Sequence, residues 1–260
     1  MGIVNVTPDS FSDGGRYNSV DAALNHAHAL LADGAHIIDV GGESTRPGAR
    51  ILTSDEEWKR IKDVVRILAE DDICVSVDTY HSETARLAAE SGAHIINDVT
   101  GGKGDSQMFD AVASTDVMYV LQHGRGNPQT MDSLAHYDNV EREVIDELMA
   151  SFDHAEHAGV DAHRIILDPG YGFAKNPEHN WRLLANIDEL VALPMPVLIG
   201  VSRKRFLSDY SVGSDVDGRD LPTAVISAYC ASRGVWGVRV HNVGATVSAL
   251  SVAAAIENNR

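Results

Sequence analysis

Two aspartates and an asparagine, Asp78, Asn97 and Asp168, close short apolar runs, and the cationic segments SRKR at 202–205 and RVH at 239–241 close two more. The carboxylates and the amide make a wall rich in hydrogen-bond acceptors, whereas lysine, arginine and histidine make a basic one. Facing each other, they suit a ligand that joins a donor-rich heterocycle to an anionic group. A 2-amino-4-oxo-pyrimidine edge is such a heterocycle, because its exocyclic NH₂ and ring NH match the two oxygens of one carboxylate. Asp168, in the segment LDPG, is the candidate for that contact. The anion would lie on Arg239, His241 and the first turn of the following helix, where Asn242 can cap and free backbone N–H groups point outward. Arg46 is placed to close over it. Each side chain also has an ordinary structural use, as helix cap, loop anchor or ion-pair partner, so the reading rests on their combination.

The polar segment NVTPDSFSDGG at 5–15 adds a loop suited to cover an anionic ligand. Asn5 brings an amide oxygen at a strand end, Ser10, Ser12 and Asp13 bring further oxygens, Phe11 an apolar face, and the glycine pair backbone freedom. An ordinary exposed connection has a similar composition. The segment GGKGD at 101–105 looks like a phosphate nest but lacks the G-x-x-x-x-G-K-[ST] pattern, and it is read as a tight loop. The pairs His26/His28 and His154/His157 have neither HExxH spacing nor a third ligand and read as solvated helix faces. Trp58, Trp181 and Trp236 read as packing residues.

Chemistry at strand ends needs a framework that gathers distant segments. Apolar runs at 1–5, 36–42, 74–79, 94–99, 117–123, 164–170, 196–202 and 235–241 alternate with helical patterns at 20–33, 54–70, 82–91, 106–114, 139–157, 177–191, 221–233 and 243–257. Ser54 and Glu57 have the spacing of a capping box. Near-continuously apolar strands separated by crossover helices imply a parallel sheet covered on both faces. Eight such units in 260 residues match the size of a (β/α)₈ TIM barrel, an α/β fold. In that fold Asn5, Asp39, Asp78, Asn97, His123, Asp168, Ser202, Arg239 and His241 converge on one mouth. A doubly wound open sheet is the alternative. No linker or low-complexity stretch interrupts the repetition, so one domain over residues 1–260 is expected.

With 38 acidic and 21 basic residues, the net charge of -17 argues against nucleic acid or an anionic membrane as the main partner. An anionic substrate must therefore find a local basic cluster. Cys74 and Cys230 stand in apolar contexts, as buried thiols of a reducing compartment would. No signal peptide or transmembrane run is recognised, and a soluble cytoplasmic protein is expected.

The segments NVTPDSFSDGG at 5–15, DVGGESTRPGA at 39–49, VSVDT at 75–79, INDV at 96–99, LDPGYGFAK at 167–175, SRKRF at 202–206 and RVH at 239–241 resemble, in order, those of the dihydropteroate synthase family of folate biosynthesis. The resemblance implies the joining of 7,8-dihydropterin-6-ylmethyl diphosphate to 4-aminobenzoate, with release of diphosphate and the help of Mg²⁺. It implies that Asp78, Asn97, Asp168 and Lys204 hold the pterin, and that Asn5, Arg239 and His241 hold the diphosphate. Asn5 would also ligate Mg²⁺. Thr45, Arg46, Pro47, Phe173 and Ser202 would shape the aminobenzoate site. Asn5, Asp78, Lys204, Arg239 and His241 would form the catalytic set, acting in an SN1-like displacement, and a homodimer would form through outer helices late in the chain.

The chain departs from the family pattern at two places. Gln122 precedes His123 where the family usually has Met, setting an amide where an apolar pterin contact is expected. Asn242 follows RVH where Asp is frequent, and losing a carboxylate there favours a bound anion. Two other functions stay open at this point. A methyltetrahydrofolate-dependent corrinoid methyltransferase shares the Asp and Asn positions without needing a diphosphate site, and a non-catalytic pterin-binding paralogue would retain the pocket alone.

Overall fold

The computed structural model describes residues 1–7, 15–43, 50–127, 129–213 and 215–259. The apolar runs form β1 (Gly2–Asn5), β2 (Ile38–Gly41), β3 (Val75–Asp78), β4 (Ile95–Asp98), β5 (Met118–Gln122), β6 (Ile165–Asp168), β7 (Leu198–Ile199) and β8 (Gly237–Val238). All pair in parallel, as one sheet from β1 to β6 and a second pair, β7 with β8. Single bridges from Leu167 to Val197 and from Gly2 to Val240 join the two pieces at both edges. Ile3 N donates to Val240 O at 3.1 Å and Leu167 N to Pro196 O at 2.8 Å across these seams. The strand order therefore returns to β1, and the fold is a (β/α)₈ barrel rather than an open sheet.

The helices follow their strands: α1 (Gly15–Ala32), α2 (Ser54–Glu70), α3 (Ser82–Glu90), α4 (Met108–Ala113), α5 (Val140–His157), α6 (Pro177–Ala185), α7 (Ile187–Val191), α8 (Asp220–Ala231) and α9 (Val243–Glu257). Two apolar layers result. A large one lies between strands and helices, with Ile38, Val64, Leu121, Leu148 and Leu167 among its buried members. A small one, Ile95, Val120, Ile166 and Leu198 with Met1, Ile37, Cys74 and Met118 against it, plugs the barrel itself. Each fully buried aliphatic side chain contributes roughly 1.5–3 kcal/mol. Because side chains alternate along a strand, the positions two and four residues beyond this plug also face inward. They are Asp39, Ser76, Asn97, Gln122 and Asp168, with Asn5, Gly41 and Asp78 above. The interior thus changes from hydrocarbon at the bottom to polar groups at the mouth.

Several local expectations are corrected. The capping box of α2 uses Thr53 and Glu56, not Ser54 and Glu57: Thr53 Oγ1 accepts from Glu56 N at 3.2 Å, and Glu56 Oε2 accepts from Thr53 N at 3.1 Å. Glu57 instead turns to the core and accepts from Thr79 Oγ1 at 2.6 Å. The helix expected at 177–191 breaks at Asn186, whose amide is drawn to Glu141 Oε1 at 3.1 Å and Arg182 O at 2.9 Å. Trp58 and Trp181 pack against the core, but Trp236 is 45% exposed. His26, His28, His154 and His157 lie on exposed helix surface as expected. Cys230 is buried, Cys74 is half-buried, and both are free thiols. Among the described residues no helix is long and apolar enough to cross a membrane.

Candidate active site at the barrel mouth

One register row crosses the ends of the first four strands: Asn5 opposite Gly41, Gly41 opposite Asp78, Asp78 opposite Asn97. Gly41, lacking a side chain, leaves a gap between Asn5 and Asp78. One layer deeper, Asp39 is fully buried and gathers three donors: Ser76 Oγ at 2.5 Å, Asn97 Nδ2 at 3.2 Å and Arg239 Nε at 2.6 Å. Arg239 then uses Nη2 to donate to Asp78 Oδ2 at 2.6 Å. Arg239, expected beside His241 on an anion, is therefore also the tie between two inward carboxylates. Asp39 was legible as a strand-end acid but received no role from sequence. Its place two residues above Ile37 of the barrel plug is the signal that marks it as inward-facing.

The opposite wall comes from β6 and β7. Asp168 is buried, and its Oδ1 accepts from Gly170 N at 2.7 Å. Lys204 donates to Tyr171 O, and its Nζ lies 4.2 Å from the centroid of the Phe173 ring. The two stretches interlock at Gly172, where an added Cβ would stand 2.8 Å from Lys204 Cδ and where φ is +74°. Ser202 Oγ pairs with His241 Nδ1 at 2.9 Å and accepts from His241 N at 3.0 Å. Asn242 caps α9 by accepting from Ala245 N at 3.0 Å, and donates to Asp220 Oδ2 at 3.1 Å.

Burial dominates the protonation chemistry here. It pushes the carboxyls of Asp78 and Asp168 above their ordinary range, opposed by Arg239 for the first and Lys204 for the second. It lowers the Lys204 ammonium to about 8 against the pull of Asp168. It works against the Arg239 charge too, but Asp39 and Asp78 outweigh it and keep the guanidinium protonated. The mouth therefore holds acids and bases whose charges depend on one another.

The structure brings together Asn5, Asp78, Asn97, Asp168, Phe173, Ser202, Lys204, Arg239 and His241 as strand-end or adjoining loop residues. Thr45, Arg46 and Pro47 lie outside the described residues, as do Ser10, Phe11, Ser12 and Asp13. The flanks of segment 44–49 are joined: Glu43 accepts from Leu52 N at 3.1 Å and from the Tyr80 hydroxyl at 2.5 Å. Gln122, paired in register with Asp168, turns its amide sideways, and Nε2 donates to Val99 O at 3.0 Å. The GGKGD segment is a tight loop in which the N–H groups of Gly101, Gly102, Lys103 and Gly104 are used internally. Asp98 accepts from Thr100 N and Gly102 N, both at 2.7 Å, from Thr100 Oγ1 at 2.7 Å and from the Tyr119 hydroxyl at 2.6 Å.

Residues 1–241 match the family of pterin binding enzymes. Dihydropteroate synthase of Mycobacterium leprae is 49% identical over 261 residues, covering 98% of this chain and 92% of that protein. Dihydropteroate synthase of Xanthomonas albilineans, solved with 4-aminobenzoic acid, superposes with a TM-score of 0.92 at 41% identity, covering 99% of this chain and 92% of that one. The same enzyme in complex with 7,8-dihydropteroate gives a TM-score of 0.88 at 39% identity, with the same coverages of 99% and 92%. A family match over nearly the whole barrel and a relative at this identity lead to one assignment: the chain belongs to the pterin binding enzymes and, among them, to the dihydropteroate synthases.

Proposed function

We propose that the chain condenses 7,8-dihydropterin-6-ylmethyl diphosphate with 4-aminobenzoate, giving 7,8-dihydropteroate and diphosphate. The observation that carries this reading is the mouth itself, where the Asp39–Arg239–Asp78 ion-pair set stands across from Asp168 and Lys204. Asp168 keeps Oδ2 for the pterin NH groups while Oδ1 is held by Gly170 N. Asp78 and Asn97 meet the same heterocycle from β3 and β4, and the Lys204 ammonium donates to its 4-oxo group. Arg239 and His241, with the first turn of α9, take the diphosphate. Phe173 and Ser202, with Thr45, Arg46 and Pro47, form the aminobenzoate side.

Breaking the C–O bond places negative charge on diphosphate and positive charge on a methylene conjugated with the pterin, so electrostatic stabilisation dominates. Arg239 and His241 receive the first charge, and Asp78 and Asp168 favour the second. The arylamine needs no strong base, because the ammonium formed on attack is acidic. We read the step as a dissociative, SN1-like displacement in which positioning of the amine completes the reaction.

The synthases use a metal ion in catalysis. Among the described residues no group of three or more His, Cys, Asp or Glu is arranged to hold one. Asn5, at the end of β1 with Oδ1 beside Gly41, offers one amide oxygen at the mouth, which suits Mg²⁺, an ion that keeps waters and substrate phosphate oxygens and takes few ligands from protein. Asn5 would hold it through its amide oxygen, and when bound Mg²⁺ supplies positive charge to the diphosphate. The reading extends to one domain over residues 1–260, a cytoplasmic location and a homodimer. Exposed Leu221 and Val225 on α8 and Val252 and Ile256 on α9, a mutually packed pair of helices, support the dimer. The test is diphosphate release from the dihydropterin substrate with Mg²⁺, with and without 4-aminobenzoate, while dihydropteroate is followed by chromatography. Release coupled to product supports the synthase; dihydropterin binding without product would end it.

A further inference from the structure

A buried lysine lies behind the site. Lys175 is 7% exposed, and its Nζ meets His123 Nδ1 at 2.8 Å, Gly170 O at 3.1 Å and Phe173 O at 3.1 Å. Burial pushes the Lys175 pKa well below the ordinary lysine range, and the three contacts surround its nitrogen. Glu147, held ionised by His123 and Arg125, can only accept, so the one ring proton of neutral His123 sits on Nε2, facing Glu147 Oε2 at 3.0 Å, and Nδ1 accepts from Lys175. His123 is 2% exposed, and Glu147 is in turn gripped by Arg125, which stacks 3.9 Å from the centroid of Tyr137. The Lys175 nitrogen is thus anchored through a fixed imidazole to α5.

The backbone groups that Lys175 holds are the two ends of one turn. Phe173 N donates to Gly170 O at 3.0 Å, closing residues 170–173, and Lys175 binds the carbonyls of both. One end of this turn supplies the N–H that holds Asp168, and the other carries the ring under Lys204. The backbone is confined as well. Gly170 has φ +67° and passes so near His123 O that an added Cβ would stand 1.9 Å from it. Ala174, at φ +49°, adopts a conformation that L-residues other than glycine disfavour, directly beside the lysine. His123 N also donates to Asp168 O at 2.8 Å, tying the same histidine to the strand end.

We propose that Lys175, oriented by His123, is a positioning residue that fixes the turn 170–173 and thereby the placement of Asp168 and Phe173 against both substrates. The role rests on the synthase reading above. An apolar side chain of similar length would fill the space but leave Phe173 O without its lysine donor and the turn without its knot. The logic is that of an outer support whose loss misplaces the groups that touch the ligand.

The test compares wild type with Lys175→Met and His123→Leu, measuring kcat and KM for each substrate, with thermal unfolding of every protein. A variant that only lowers the folded fraction scales the apparent kcat and leaves both KM values alone. Lys175→Met is expected to raise both KM values about tenfold, and His123→Leu, which keeps the lysine and its two carbonyls, about threefold. If Lys175→Met does not fold, the KM values of His123→Leu decide. Unchanged KM values beside an active wild type would overturn the positioning role. A wild type that does not turn over these substrates would remove the synthase reading and this role with it.

Discussion

Arg239 and Asp39, 200 residues apart in sequence, meet at 2.6 Å through the guanidinium Nε. The neighbouring Nη2 reaches Asp78 at the same distance, so the last strand end is tied to the second and third across the barrel. Asp39→Ala would withdraw the acceptor from Arg239, Ser76 and Asn97 at once. A stability loss of about 3 kcal/mol is expected, because breaking a buried pair leaves charge uncompensated. Urea denaturation measures it, and a loss below about 1 kcal/mol would show the set to be weakly held.

The lowered Lys204 ammonium, at about 8, sets an alkaline limit on the free enzyme. Above that pH the lysine loses the charge and donor that the pterin contact requires. The kcat/KM for the dihydropterin substrate should therefore fall about tenfold per pH unit beyond it. Lys204→Arg keeps its charge throughout and should lose this limb while working less well overall. Persistence of the limb in the arginine variant would assign it to another group.

Acid stability should carry the signature of His123, which burial lowers to about 3 from the ordinary histidine range. Between about pH 6.5 and 3 the unfolded chain binds a proton on this residue and the folded chain does not. Stability therefore falls as pH falls through that window, by about 1.4 kcal/mol per pH unit from this group. Denaturant titrations across it should show a flatter slope in His123→Gln; an identical slope would refute the assignment.

Gln122→Met tests the departure from the family pattern. Since the amide is turned to Val99 O, the substitution should cost about 1 kcal/mol of stability through the lost hydrogen bond. The KM for the dihydropterin should shift by less than about threefold, a change well under 1.4 kcal/mol. A larger shift would mean that the amide reaches the substrate.

Sedimentation equilibrium addresses the exposed face of α8 and α9. Val225→Glu combined with Val252→Glu should convert a dimer to monomer with little effect on folding, because both side chains are exposed. A wild-type monomer at high concentration would dismiss the dimer.

The barrel was legible because its eight apolar runs and their helices repeat, and because Asp78, Asn97 and Asp168 close runs that point one way. What sequence left hidden depends on parity and on pairing between remote segments. Asp39 appeared as one strand-end acid among many; its contacts with Arg239, Ser76 and Asn97 bring four strand ends together, which no local spacing encodes. The α2 cap slipped by one residue because Thr53 and Ser54 are both good caps, and the core claimed Glu57 through Thr79. Lys175 was visible in the family segment LDPGYGFAK, yet its burial follows from His123, 52 positions away.

The loop after β4 has a further consequence. Its amides at Thr100 and Gly102 bind the carboxylate of Asp98, and Gly104 N donates to Thr100 Oγ1 at 2.9 Å. The cradle is occupied by a carboxyl group that belongs to the chain, present at fixed effective concentration and unable to diffuse away. Inorganic phosphate in solution meets amides there that are already bonded. A motif that resembles a phosphate trap is thus already filled by the chain's own side chain.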